Sequence, residues 1–265
     1  MIWQTSLASV AAIVCAPIAG SAVGFLVSRL PQGRPIRLAW SCCDACERAL
    51  SAPDLVRIVS HLLFRMRRRI CFVPIAPFQL AVELATIAIA IWATAVVPDP
   101  VVLWADCLLG WTLLALACID FLHMRLPDAL TLPLLAFGLL VEAGNSSQQF
   151  AAHVLGAVAG YAAFKVVAIV YHALRGRDGL GGGDAKLLAV AGAWVGWADL
   201  PDVVFLAALI GIAGAVVLRV RGHALSSVTA LPFGPCLAIA LWIVRLYGPL
   251  IFGTSEFPVA LSLGM

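Results

Sequence analysis

Apolar runs about as long as a bilayer crossing recur along almost the whole chain, and they limit what it can fold into. They lie near 6–27, 80–97, 101–119, 129–143, 151–174, 185–198, 203–218 and 228–252. A membrane-spanning helix needs about 20 predominantly apolar residues. The expected fold is therefore all-α, a polytopic membrane helical bundle of about eight transmembrane helices with one large cytoplasmic loop. Seven spans is the alternative, because the fourth and sixth runs are short. Composition excludes an aqueous globule: 63% of residues are apolar and 12% charged, against about 45–50% and about 25% in ordinary soluble domains. Too little polar surface exists to cover such a core. Residues 1–28 hold no Lys or Arg, so the first run lacks the positive start of a secretory signal and reads as a retained span.

The basic residues give an independent check on the span count. Nine arginines fall in loop 28–79, one in 120–128, two in 175–184 and two in 219–227, fourteen in all, while the alternate loops hold none. Lys165, Lys186 and Arg245 stay within the spans. The positive-inside rule then places the arginine-bearing loops in the cytoplasm and the N-terminus outside. A wrong count would scramble this alternation. The domain reading is a first transmembrane helix at 1–27, a cytoplasmic loop subdomain at 28–79 and a membrane domain at 80–265. The loop arginines, Arg65 to Arg69 among them, read first as orientation signals and contacts to anionic lipid.

Carboxylates in or beside spans are costly and are functional hypotheses by default. Asp99, Glu142, Asp199, Asp202 and Glu256 fall at outer ends or in outer loops, where meeting water is explanation enough. Asp106 lies a turn or two deeper and reads as local polar packing. Glu83 begins the second span on the cytoplasmic side, as an interfacial anchor or part of a site. Asp120 closes the third span, and Asp184 opens the sixth after Gly181-Gly182-Gly183. Both fall at the cytoplasmic boundary. The glycines let backbone or a substrate strand approach the carboxylate closely, although helix capping would also explain Asp184. If the two converge, one keeps a proton while the other stays charged. Such a pair can activate water and polarise a peptide carbonyl without a nucleophilic Ser or Cys. No helical metal-protease motif, G-x-S-x-G elbow, Walker loop or complete dinucleotide fingerprint competes, and nothing points to nucleic acid.

On these landmarks the chain resembles the type IV prepilin leader peptidases, bifunctional membrane enzymes of pilus and type II secretion systems. Gly20-Ser21 with Arg29-Leu30-Pro31 looks like the family's opening span and its exit. Ile119-Asp120 through Leu126-Pro127-Asp128 to Pro133 looks like the segment with its first catalytic aspartate. Gly181-Gly182-Gly183-Asp184-Ala185-Lys186-Leu187 matches the G-x-G-D motif with the second, and Pro232-Phe233-Gly234-Pro235 matches a late segment. The resemblance implies that Asp120 and Asp184 are the catalytic pair of an intramembrane aspartyl peptidase. Gly181, Gly183, Asp128, Lys186 and Glu83 are candidate substrate-binding or supporting residues. It also implies a bacterial inner-membrane location and a prepilin or pseudopilin substrate, whose basic leader is cut after a glycine at the cytoplasmic face. The new N-terminus is then methylated from S-adenosylmethionine.

The cytoplasmic loop departs from the family pattern. Many members carry two C-x-x-C pairs there, a tetrathiolate zinc signal. Cys43-Asp44-Ala45-Cys46 keeps the first, but Arg68-Arg69-Ile70-Cys71 has Arg where a Cys would stand. Cys43, Cys46 and Cys71 are the candidate metal ligands, with Cys42 or His61 as a fourth. Reduced free thiols are the favoured reading in the cytoplasm. Cys15, Cys107, Cys118 and Cys236 lie in apolar runs and read as packing residues. Because the loop is tied to methyl transfer in the family, a peptidase that has lost the methyltransferase is one alternative. A proton-coupled membrane transporter is the other.

Overall fold

A computed structural model describes residues 7–32, 77–144, 146–176, 181–222 and 232–251. The cysteine motifs of the 28–79 loop, with Cys42, Cys43, Cys46, His61 and Cys71, lie outside these residues. The described residues form eight α-helices, a 3-10 turn and no strand. The helices are α1 (Leu7–Arg29), α2 (Pro77–Val96), α3 (Pro100–His123), α4 (Asp128–Glu142), α5 (Ser147–Arg175), α6 (Gly182–Val195), α7 (Leu200–Val220) and α8 (Gly234–Tyr247). The turn, Leu30–Gln32, follows α1 directly. The all-α polytopic expectation holds.

Five helices, α1, α2, α3, α5 and α7, are long and apolar enough to cross a bilayer. With 15, 14 and 14 residues, α4, α6 and α8 rise only about 21–23 Å, short of the roughly 30 Å hydrocarbon core. The shortness of α4 and α6 was expected from their runs. That of α8 was not, since its run extends over 228–252. The helix starts behind Pro232 and Phe233 and stops at Gly248, whose φ of +78° no helix accommodates.

The chain divides into two compact units, Met1–Ala115 and Leu116–Met265. In the first, α1 packs against α2. Their axes come close at Gly20, where a Cβ would stand 2.6 Å from Thr86 Oγ1 and 2.7 Å from Glu83 Cα. The Thr86 hydroxyl bonds the Ala16 carbonyl at 2.9 Å. Trp111 Nε1–H donates to the Thr86 carbonyl at 3.1 Å. Such satisfied polar groups are what a lipid-embedded helix pair requires.

The second unit is built around α6, which packs against α4, α5 and α8. A helix apolar on every side belongs inside a bundle, and each residue from Asp184 to Trp194 except Lys186 is buried. Glycines set its distance from α5. A Cβ on Gly192 would fall 2.1 Å from the Gly156 carbonyl, and one on Gly160 2.6 Å from the Leu188 carbonyl oxygen. This is small-residue packing of backbone on backbone. Gly138 in α4 admits the Trp194 ring, and Trp194 Nε1–H donates to the Leu134 carbonyl at 3.1 Å. In contrast, α5 and α7 leave Leu155, Val158, Val166, Val167, Ile212 and Val216 exposed, as lipid-facing helices do.

Two ends of this unit carry its polar groups. At one, Glu142 lies 3.4 Å from the Arg245 guanidinium and 3.7 Å from His153 Nε2. Arg245 also donates to the Trp194 carbonyl at 3.0 Å. Asp202 accepts from the Ile251 N–H at 3.0 Å. Glu142 and Asp202 were expected simply to meet water, yet both are buried. For Glu142 the physical reason is that Arg245, set in an apolar helix, needs an acid at its own depth, while Asp202 accepts from backbone. Beside them, burial and the Asp202 charge push the Asp199 carboxyl above its ordinary range, with His153 acting against. The opposite end holds the candidate site.

Candidate active site at three helix ends

Asp120 lies one turn from the C-terminus of α3. That helix closes at Met124, which adopts a left-handed φ of 53° and donates its N–H to the Asp120 carbonyl at 2.8 Å. Such a conformation costs a non-glycine residue about 1 kcal/mol and turns the chain sharply toward Leu126-Pro127-Asp128. The Pro127 backbone is extended, and α4 begins at the next residue.

Asp184 lies in the first turn of α6, where Gly181 is the N-cap residue. The Asp184 carboxylate reaches back toward Gly181, with Oδ2 3.4 Å from where a Gly181 Cβ would stand, the arrangement of an acidic residue folding over the start of its own helix. Capping is thus one of its jobs. Of the three glycines before it, only Gly183 is sterically required: a Cβ would stand 2.8 Å from Leu126 Cβ and 2.9 Å from its Cδ1. Gly182 faces open space, and a Cβ on Gly181 would make ordinary contact with Asp184.

Gly183 therefore brings the start of α6 against the turn that follows Asp120. Asp184 lies within range of the Asp120 charge, and both are buried, at 6% and 8% exposure. A third element completes the arrangement. The Gly234 N–H, at the start of α8, donates to Asp120 Oδ2 at 3.1 Å. Cys236, one turn into α8, lies within electrostatic range of both carboxylates. Phe233 packs on Phe164 of α5, with ring centroids 6.2 Å apart.

The other candidates divide. Asp128 and Lys186 form an ion pair between the first turns of α4 and α6. It is partly exposed, so its contribution to stability is about 0–1 kcal/mol, but it ties the two aspartate-bearing segments at a second point. Glu83 belongs to the other unit. It is fully buried in α2 and accepts a hydrogen bond from the Ser21 hydroxyl at 2.9 Å, so it is no interfacial anchor. Cys43, Cys46 and Cys71 lie outside the described residues. Sequence reasoning missed Gly234 and Cys236 as neighbours of the carboxylates. The Pro-Phe-Gly-Pro segment was the available signal, but spacing alone does not reveal which backbone N–H points at which acid.

Comparison with known proteins gives concordant results. The model of the Type IV leader peptidase family matches residues 107–216, and that of the bacterial Peptidase A24 N-terminal domain matches 14–97. A prepilin leader peptidase/N-methyltransferase of Aeromonas hydrophila is 39% identical over 209 residues, covering 78% of this chain and 71% of the relative. A protein of the same description from Burkholderia pseudomallei is 37% identical over 252 residues, covering 86% and 81%. One from Pseudomonas aeruginosa is 37% identical over 215 residues, covering 81% and 73%. No solved structure matches significantly.

Proposed function

The chain belongs to the type IV leader peptidase family, and from that premise we propose that it removes the basic N-terminal leader of a prepilin or pseudopilin. Asp120 and Asp184 are the hydrolytic pair. The observation that supports this most is their placement: two buried carboxylates from separate helices, with Asp184 in range of the Asp120 charge and Gly183 against the turn that follows Asp120. Two acids so placed share one proton between them. The ionised member takes a proton from water as its oxygen attacks the scissile carbonyl carbon. The protonated member donates to the carbonyl oxygen, which carries the developing negative charge. Collapse of the tetrahedral intermediate breaks the C–N bond, and the departing amine takes up a proton. The acids act as a coupled pair, and neither is assigned a fixed role.

The charge asymmetry of the loops supports a cytoplasmic site and an external N-terminus. A substrate with a basic leader before an apolar helix suits that placement, since the leader stays in the cytoplasm while the helix lies in the membrane. Asp128 and Lys186 support the pair by joining α4 to α6. The 28–79 loop is the segment that goes with methyl transfer in this reading, and Glu83, bonded to Ser21, is held as a supporting residue. S-adenosylmethionine supplies the methyl group for the new N-terminus, as the relatives' description of N-methyltransferase suggests. The second C-x-x-C pair is incomplete, with Arg68 in place of a Cys, so a zinc site there needs Cys42 or His61 beside Cys43, Cys46 and Cys71.

Mass spectrometry of a prepilin co-expressed with this chain tests the reading. The expected product begins immediately after a glycine at the junction of leader and apolar helix, and gains one methyl group. Recovery of the full-length prepilin alone would contradict the peptidase, whereas a cleaved, unmethylated product would contradict only the second activity.

A further inference from the structure

The Gly234 N–H is aimed at a carboxylate that the hydrolytic reading needs, and the backbone there leaves no room for a side chain. Its bond to Asp120 Oδ2 is 3.1 Å long and buried. A Cβ at 234 would stand 2.6 Å from that same oxygen and 2.9 Å from the Asp120 Cγ. Pro232 and Pro235 flank the position and restrict the local backbone, each ring locking its own φ near −65°. Pro235 has no N–H, which leaves Gly234 as a donor at the head of α8. The next residue, Cys236, is in electrostatic range of both acids. Phe233 is held from behind by Phe164.

We propose that Gly234 is a positioning residue for the peptidase: its backbone N–H pins one oxygen of Asp120 and leaves the other for water or substrate. The absence of a side chain keeps the carboxylate where Asp184 can share its proton. This rests on the aspartate-pair reading above. It assigns α8 a part in the chemistry, so that the site is assembled from three helix ends instead of two. A misplacement of about 1 Å in a reacting group costs on the order of 10²-fold in rate, and a Cβ 2.6 Å from Oδ2 forces a displacement of that order.

The test compares steady-state cleavage of a prepilin by the full-length protein in liposomes, using wild type, Gly234→Ala and Asp120→Asn. The expected result is a fall in kcat of about 10²-fold for Gly234→Ala with KM within about twofold, and no cleavage by Asp120→Asn. A Gly234→Ala protein with wild-type kcat, while Asp120→Asn is inactive, would overturn the positioning role and leave the pair intact. A rise in KM at unchanged kcat would also overturn it, by assigning the residue to substrate binding. Wild-type cleavage by Asp120→Asn would overturn both readings. If Gly234→Ala fails to insert, replacing Gly234 with glycolic acid decides the matter, since it removes the N–H and adds no atom. Undiminished kcat in that protein would refute the role.

Discussion

Gly183 and Gly182 are adjacent, identical and predicted to behave differently. A Cβ on Gly183 meets Leu126, while one on Gly182 meets nothing within 4 Å. Gly183→Ala is expected to push α6 away from the turn after Asp120 and reduce kcat about tenfold or more. Gly182→Ala should stay within about twofold of wild type, and the same prepilin-cleavage assay measures both. The run of three glycines was visible in the sequence, but the requirement was not, because it depends on where Leu126 comes to rest. Glu83 teaches a related lesson. Its place near the start of an apolar run suggested an anchor or a site, and only the packing of Gly20 and Ser21 against α2 shows it buried and bonded.

At the scale of elements, helix identity was legible because continuous apolar runs leave little choice in lipid. Helix length was less so. The run at 228–252 gave no sign that α8 stops at Tyr247, since one glycine with positive φ ends it while apolar residues continue. Packing between α5 and α6 was not readable either, although Gly156, Gly160 and Gly192 carry it. Gly192→Ala drives a methyl group into the Gly156 backbone, 2.1 Å away. Overpacking of this kind costs about 1–3 kcal/mol, so thermal unfolding in detergent should show a lower Tm. Gly214→Ala in α7, with nothing within 4 Å, should show no loss. Arg245→Met removes a charge partner from buried Glu142 at the far end of the same unit. Such losses cost about 3–5 kcal/mol. The expected outcome is a depressed Tm with unchanged kcat per folded molecule, because the aspartates lie at the other end of the helices.

For the whole molecule, the strongest sequence signal was the distribution of arginines, fourteen in alternate loops and none in the others. It predicts that alkaline phosphatase inserted after Gly144 is exported and active, and that the same insertion after Gly176 is inactive. The reverse pattern would overturn the cytoplasmic placement of the site. What the sequence could not supply is how the segments around the two aspartates meet: a left-handed turn at Met124 after Asp120, a close approach of Gly183 to Leu126, and a donor to Asp120 at Gly234. The most direct measurement is leader removal from a prepilin by membranes containing Asp120→Asn or Asp184→Asn at wild-type abundance. Either substitution is predicted to abolish the cleaved product, and processing at the wild-type rate by either variant would contradict the account.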